Sequence, residues 1–238
     1  MSGLPRQVTL LMLTCFMLYT NLFSGSGGGF SDDGGQSVYF SYPTGFTPAP
    51  FTFAIWLPIF AGTVALAIYQ ALPGQKFNRI LDRISGPYSL ALCANAATPY
   101  TDLGLSNWAV LVLAVSLAKA FSMTLPLTPN RQFRWFVQAT LAIFGTWAGL
   151  AAILNGCQWL VSQGVAVGTP DAAILVVLAM AAGIATIIRT KEPIIAAVMV
   201  WAGIGIAAAQ SGSTLLVLII FATSIATIAA SIGVRRSF

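Results

Sequence analysis

The sequence contains no histidine and only six aspartate and glutamate residues among 238. Without histidine, the chain lacks the commonest general base, the commonest transition-metal ligand and any histidine bond to a haem or chlorin. Six carboxylates leave little material for paired-carboxylate catalysis. No nucleophile–base pair or set of metal ligands is visible, so the sequence predicts a protein that is not an enzyme and holds no metal.

Cysteine is also scarce, with Cys15, Cys93 and Cys157 each lying in or beside an apolar run. No C-x-x-C or similar spacing is present, so neither a metal site nor a disulfide framework is indicated. We expect all three thiols to be buried by packing.

Charge is the third scarcity, at 7% of residues against 57% hydrophobic, with a mean hydropathy of +0.84. A soluble domain carries roughly 25% charge, so this chain has too little polar surface to face water and the bilayer must be its main solvent. The net charge of +5 comes from basic residues in short loops. It therefore indicates membrane topology and contacts with anionic lipids, not nucleic-acid binding.

Eight apolar segments are long enough to span a bilayer, and they predict an all-α polytopic membrane protein. They cover residues 7–24, 51–73, 86–104, 107–126, 135–157, 171–188, 193–209 and 213–233. An alternative for the first segment is a cleaved signal peptide, but its apolar run is long for one.

The placement of charge supports the even number of spans. With both termini in the cytoplasm, every basic loop residue lies inside and the outside loops carry only acids, which is a strong positive-inside pattern. The inside residues are Arg6, Lys76, Arg79, Arg83, Arg131, Arg134, Arg189, Lys191, Arg235 and Arg236; the outside ones are Asp32, Asp33, Asp102 and Asp171.

One long loop, residues 25–50, interrupts the pattern of short connections. Its glycine, serine, aspartate and proline content excludes a continuous helix. Its aromatic residues suit either a lid-like or docking role or simple anchoring at the outer interface. They are Phe30, Tyr39, Phe40, Tyr42 and Phe46.

Aromatic and amide side chains mark the second and third spans. Trp56 and Phe60 are four residues apart and share a helix face, and Pro58 predicts a kink beside them. Trp56 could border a cavity or anchor the outer interface. Asn95, inside the third span, needs hydrogen-bond partners and could bind a ligand or a neighbouring helix. Pro99 is expected to bend or end that span.

The fifth span combines a large indole with small residues. Trp147 and Ala151 lie on one side with Asn155 at its margin, an arrangement that suits a packing knob or a platform for a flat ligand. Gly145 and Gly149 form G-x-x-x-G, which permits close helix approach.

Lys119 is the only charge well inside a span. Snorkelling or lipid contact is one explanation, and a buried ion pair or ligand contact is the other.

The last three spans carry small residues at four-residue spacing, such as Ala179 with Gly183 and Gly203 with Ala207. This spacing predicts either helix packing within the chain or a face for a partner subunit. Trp201 lies beside the second pair.

The stretch GFTPAPFTFAIWLPIFAGTVALAIYQALP, from Gly45 to Pro73, resembles the second-span signature of tryptophan-rich sensory proteins of the TspO/translocator (peripheral benzodiazepine receptor) superfamily. That family begins this span with a Pro-Pro-Gly-Trp-type motif and has a tryptophan eight residues after the second proline, the spacing from Pro48 to Trp56 here. The fifth-span pattern around Trp147 and the third-span Asn95 are similar too. The segment IIRTKEP followed by VMVWAGIGIA resembles the longer bacterial branch.

The resemblance implies a TspO-like five-helix core over residues 1–157, which includes the loop 25–50, and three additional transmembrane helices over 158–238. It implies a location in the bacterial cytoplasmic membrane and a pocket for flat apolar ligands. The ligand-site residues carried over are Trp56, Phe60, Asn95, Trp147, Ala151 and Asn155.

Several positions depart from the family pattern. Phe60 replaces a tyrosine, Thr98 a tryptophan, Ile143 a proline and Leu150 a phenylalanine. The first three remove a hydroxyl, an indole and a kink from positions of the pocket type.

Three functions are compatible with this sequence. The first is a sensor or carrier for a flat hydrophobic molecule such as a tetrapyrrole, isoprenoid or sterol, with a tetrapyrrole, carotenoid or lipid as the candidate bound cofactor. The second is an accessory subunit of a larger membrane complex, photosynthetic or respiratory, or a homodimer. A transporter ranks third, because paired buried charges and an inverted repeat are not visible.

Overall fold

The computed structural model describes residues 3–23, 41–125 and 130–236, and within these ranges the chain is helical without strands. Each of the eight predicted segments overlaps one long helix, which confirms the all-α fold. The helices are α1 (Gly3–Phe23), α2 (Trp56–Ala71), α3 (Arg79–Ala97), α4 (Leu103–Ser122), α5 (Ala139–Ser162), α6 (Thr169–Thr190), α7 (Pro193–Ala209) and α8 (Thr214–Arg236).

Five helical stretches in the described part are long and apolar enough to cross a membrane. They are Pro50–Ala71, Leu103–Ser122, Arg131–Ser162, Thr169–Thr190 and Thr214–Gly233, and Pro193–Ala209 is a shorter apolar helix. The chain is therefore a multi-pass membrane protein. The number of eight crossings stays a prediction.

Helix α3 differs most from its predicted span, because it begins at Arg79 and not near residue 86. The Asn78 side chain accepts hydrogen bonds from the backbone N–H groups of Ile80 (3.0 Å) and Leu81 (3.3 Å), which makes it an N-cap. The first turns of α3 contain charged residues, so a prediction based on apolar runs places the start of the helix too late. As predicted, Pro99 lies where the helix ends, in the 3₁₀ turn Thr98–Tyr100.

A change in helix type lies just before Pro58, and the kink predicted at this proline stays a prediction. A 3₁₀ helix, Pro50–Ile55, runs directly into α2 at Trp56. Pro58 has no N–H to donate to the carbonyl of Ala54, so an α-helical bond is missing at this transition.

Contacts divide the described residues into two compact units. The first contains those within 3–23 and 55–149, and the second contains those within 41–54 and 150–236. The predicted division into a five-helix core over 1–157 and three further helices over 158–238 stays a prediction. Helix α5 contributes to both units, and residues 41–54 belong with the C-terminal helices.

In the first unit, α1 packs on α2 and α3, and α3 packs on α4. A short helical turn, Arg131–Phe133, and a π-helical turn, Arg134–Gln138, lead into α5. Helices α2 and α5 approach closely at Gly62. The hydroxyl of Thr140 donates to the Gly62 carbonyl (3.1 Å), and a Cβ on Gly62 would lie 2.9 Å from Thr140 Oγ1. Glycine at this position lets the two helices meet.

In the second unit, α6, α7 and α8 pack on one another. A Cβ on Gly183 would lie 3.0 Å from Met199 Cε, and one on Gly203 would lie 3.1 Å from Ile220 Cγ2. The predicted small residues thus pack helices within the chain at both positions.

Candidate functional site

An aromatic cluster lies at the start of α2 in the first unit. The rings of Trp56 and Phe60 stack with centroids 5.3 Å apart and planes inclined by 29°, as their four-residue spacing predicted. Phe144 of α5 meets Trp56 edge to face at 5.9 Å. Phe144 is fully buried, whereas Trp56 and Phe60 are partly exposed. Phe144 therefore packs against the buried side of Trp56. A ligand-binding role for the exposed part of this pair stays a prediction.

Sequence reasoning missed Phe144, although it lies three residues before Trp147 on the same helix. Trp147 is itself only 5% exposed. Because residues three apart share a helix face, this spacing was a usable signal. It could not show which of the two rings meets Trp56.

Farther along α5, Ala151 and Asn155 belong to the second unit. Asn155 is 1% exposed, and its Nδ2 donates to the backbone carbonyl of Ala151 at 2.9 Å. Part of this amide's hydrogen-bonding capacity is therefore satisfied by its own helix. A ligand-binding role for Ala151 and Asn155 stays a prediction.

Asn95 forms an interhelical pair with Asn21 of α1. It is 2% exposed, and its Oδ1 accepts a hydrogen bond from Asn21 Nδ2 at 3.0 Å. Asn21 Nδ2 also donates to the carbonyl of Met17 (2.8 Å). The interhelical bond considered for Asn95 is thus present, with a partner that the sequence did not identify. Its contact with a ligand stays a prediction.

The three departures from the family pattern have clear local structures. Phe60 keeps its aromatic ring in the stack on Trp56. The Thr98 hydroxyl donates to the carbonyl of Asn95 at 2.8 Å and so helps to end α3. Ile143 lies in the uninterrupted helix α5, which has no proline to bend it.

A buried ion pair joins the beginnings of α1 and α3. Arg6 is fully buried, and its Nη1 donates to Asp82 Oδ1 and to the carbonyl of Asn78 (3.2 Å), while its Nη2 donates to the carbonyl of Gln75. We call Arg6, Asp82, Asn78 and Gln75 the Arg6 network. The sequence had suggested only a topological role for Arg6, and it gave no sign of the partner.

Two glutamines next to the Arg6 network join α1 to α2. Gln7 Nε2 donates to the carbonyl of Gln70 (2.9 Å), and Gln70 Nε2 donates to that of Gln7 (3.1 Å). The side chains of Gln7 and Gln70 are buried. This reciprocal pair therefore ties α1 to α2 and supplies a donor for the Gln70 carbonyl in the last turn of α2.

Two further predictions concern Lys119 and the G-x-x-x-G motif of the fifth span. Lys119 is exposed in the last turn of α4, a position that permits snorkelling. A Cβ on Gly149 would meet no described residue within 4 Å, so within the described part of the chain the G-x-x-x-G motif makes no close contact at this glycine.

The prediction that all three thiols are buried is wrong for Cys15 and Cys93. Both are exposed, and only Cys157 is buried. The physical reason is that apolar helices of a bundle also present a face to lipid, so an apolar run does not imply burial within the protein. Among the described residues, no group of three or more potential ligands from His, Cys, Asp and Glu could hold a metal ion.

The aromatic residues of the loop have different placements. Phe30, Tyr39 and Phe40 lie outside the described residues. Tyr42 is exposed and Phe46 is buried. Phe46 packs in the second unit beside Val176 and Met180, around a void of about 10 Å³. Such a void holds at most one water, so this spot offers no space for a drug-sized ligand.

Comparison with known proteins gave one match. A family described as TSPO-like protein matches residues 7–234, nearly the whole chain. The curated proteins gave no match, and neither did the solved structures.

Proposed function

Because the chain belongs to the TSPO-like protein family, we propose that it is a membrane-embedded binding protein, a sensor or carrier for a flat hydrophobic small molecule. The ligand class is a tetrapyrrole, an isoprenoid or a sterol-like molecule. The observation that carries the proposal is the stacked, partly exposed pair of Trp56 and Phe60.

Recognition at this pair would rest on stacking and shape. The indole and phenyl faces supply apolar area, and the buried Phe144 edge holds the indole in place. Asn95, whose Oδ1 accepts from Asn21, is the candidate polar group that would orient a ligand. The chain has no histidine to ligate the metal of a metalloporphyrin. Such a ligand would therefore be held by packing and shape.

We place the protein in a bacterial cytoplasmic membrane with both termini in the cytoplasm. The distribution of loop charges supports this orientation. Two contacts between α1 and α3 fit an alternating topology, in which the first and third spans run in the same direction. Arg6 meets Asp82 near the start of each helix and Asn21 meets Asn95 near the end of each, so the two helices run parallel.

An accessory subunit of a larger complex is the second candidate. Helix α8 presents a row of exposed large apolar side chains, which suits either lipid or a partner subunit. The row contains Leu215, Leu218, Phe221, Ile225 and Ile232.

The test is to extract the full chain gently from native membranes, record its absorption spectrum, and identify bound small molecules and companion proteins by mass spectrometry. We expect a stoichiometric apolar ligand that is lost in Trp56→Ala, with affinity reduced about 30-fold, as is typical when a central tryptophan is truncated. Trp108→Ala is the matched control because that indole is 66% exposed on α4.

Retention of the ligand in Trp56→Ala would show that the aromatic pair is not the site. Stable companion subunits without any small molecule would replace the binding function by the accessory one.

A further inference from the structure

An open groove lies between α7 and α8 in the second unit, at the end where α7 begins and α8 ends. It has a volume of about 380 Å³, which falls in the range of about 300–1,000 Å³ that is usual for sites that hold small molecules. We call it the α7–α8 groove. Its walls include Pro193, Ala196, Ala197, Val200, Ile228 and Ser231.

The groove exists because the two helices touch at one level and carry small side chains at another. Where they touch, a Cβ on Gly203 would lie 3.1 Å from Ile220 Cγ2 and 3.3 Å from Ser224 Oγ. Nearer to the start of α7, Ala196 and Ala197 carry only a methyl group and leave the space between the helices unfilled. Ala197 is exposed, so the groove opens on the helix surface, which in a multi-pass membrane protein faces lipid.

The length of the groove favours a lipid chain over a partner helix. Its wall on α7 runs from Pro193 to Val200, which is about 10 Å along the helix axis. Beyond Val200 the contact at Gly203 closes it. A helix that crosses the bilayer is about 30 Å long, so only about a third of it could lie in the groove. An acyl chain is thinner than a helix and fits a short apolar groove at the edge of the bilayer.

Basic residues lie at the end of the groove where a phospholipid headgroup would be. Arg189 is in the last turn of α6, and Lys191 is the residue that ends this helix; both are exposed. Lys191 is two residues before Pro193, so their Cα atoms are at most about 7 Å apart. The sequence adds two more basic residues at the end of α8, Arg235 and Arg236.

The acidic residue at this end is engaged by the backbone. Glu192 is 7% exposed, and its Oε1 accepts a hydrogen bond from the N–H of Ile194 at 3.2 Å, which caps α7. Four basic residues against this one carboxylate give residues 189–193 and 235–236 a net charge of +3. This charge attracts the phosphate of an anionic lipid, which arginine can bind through two parallel N–H groups.

We propose that the α7–α8 groove binds one acyl chain of an anionic phospholipid, whose phosphate meets Arg189 and Lys191. Ser231 brings a hydroxyl to an otherwise apolar lining, and this hydroxyl can donate to an ester carbonyl of the lipid. The site shares no residue with the proposed ligand site at Trp56. It gives the C-terminal helices a binding role of their own.

The first experiment measures lipid affinity in the full chain, purified in mild detergent. Phosphatidylglycerol, and separately phosphatidylcholine with the same acyl chains, is titrated and followed by native mass spectrometry. We expect the first phosphatidylglycerol to bind about ten-fold or more tightly than the first phosphatidylcholine, because each nearby basic residue contributes about five-fold to the binding of an anionic lipid.

Ala197→Phe tests the groove itself. The added ring occupies the space between the helices, so affinity for both lipids should fall about ten-fold. The matched control is Ala222→Phe, a substitution at an exposed alanine of α8 that does not line the groove. The control should bind both lipids as the wild type does.

A double variant, Arg189→Gln/Lys191→Gln, tests the headgroup contact. Affinity for phosphatidylglycerol should fall about 25-fold, since two basic residues are lost, while affinity for phosphatidylcholine should not change. The matched control is Arg131→Gln/Arg134→Gln, which removes two exposed charges from the first unit and should leave the tightest lipid site unaffected.

A photoreactive lipid locates the site directly. Phosphatidylglycerol with a diazirine in one acyl chain is added to phosphatidylcholine vesicles that contain the full chain, and the crosslinked peptides are identified by mass spectrometry. We expect crosslinks within residues 193–200 and 228–232, and their loss in Ala197→Phe.

Unchanged lipid affinity in Ala197→Phe, or crosslinks only outside these two ranges, would overturn the groove as the site. Equal affinity for the two lipids, or a loss in the Arg131/Arg134 control as large as in the Arg189/Lys191 variant, would overturn the assigned headgroup contact. Dimers that bind no lipid and dissociate in Ala197→Phe would make the groove an interface between two copies of the chain. If Ala197→Phe does not fold, the charge variants and the crosslinks of the wild-type chain decide by the same criteria.

Discussion

Replacing Asp82 with alanine tests how strongly the Arg6 network stabilises the fold. The substitution leaves the Arg6 guanidinium buried without its carboxylate, and breaking a buried ion pair in this way typically costs about 3–5 kcal/mol. The Asp82 side chain is 24% exposed, and the carbonyls of Asn78 and Gln75 remain as acceptors. We therefore expect the free energy of unfolding to fall by about 3 kcal/mol, near the lower end of this range.

The free energy of unfolding is measured by titrating the protein in mild detergent with a denaturing detergent. Arg83→Ala is the control, since this exposed charge on the same helix should change the value by less than about 0.5 kcal/mol. The double variant Arg6→Met/Asp82→Ala removes both charges and should recover at least half of the loss. If Asp82→Ala is as stable as Arg83→Ala, or the double variant is no better than Asp82→Ala, the reasoning fails.

Two further predictions concern packing. Gly62→Ala should destabilise the protein by about 1–3 kcal/mol in the same titration, because the added methyl meets Thr140; equal stability to a Gly74→Ala control, where space is open, would contradict this. In a variant with Cys15 and Cys93 changed to serine, Cys157 is the remaining thiol and is only 5% exposed. A thiol-reactive coumarin maleimide should therefore label it, and become fluorescent, only when the protein unfolds on heating. Full reaction before melting would show that Cys157 is accessible in the folded protein.

Much of the fold follows from the apolar segments, because a bilayer-embedded helix must carry its own hydrophobic run. The start of α3 did not, since Arg79, Asp82 and Arg83 interrupt hydropathy while Asn78 marks the helix by capping. That cap was a readable signal, but a reading based on span hydrophobicity does not use it.

The candidate site was only partly predictable. The spacing of Trp56 and Phe60 predicts their stack because both lie on one helix. Phe144 and Asn21 depend on the rotation and register of separate helices, which one sequence does not specify. Arg6 was misjudged for a related reason: a basic residue near the end of a span has the same appearance in sequence whether it faces water or a distant carboxylate.

The parallel pairing of α1 with α3 also has a consequence for biosynthesis. Arg6 and Asp82 are 76 residues apart in sequence, so at roughly 5–20 residues per second the ribosome needs about 4–15 s to make the partner after the arginine. During that interval the guanidinium must stay hydrated at the membrane surface. The buried ion pair of Arg6 can therefore form only after α3 has been synthesised, and chains truncated before Asp82 should be targets for membrane quality control.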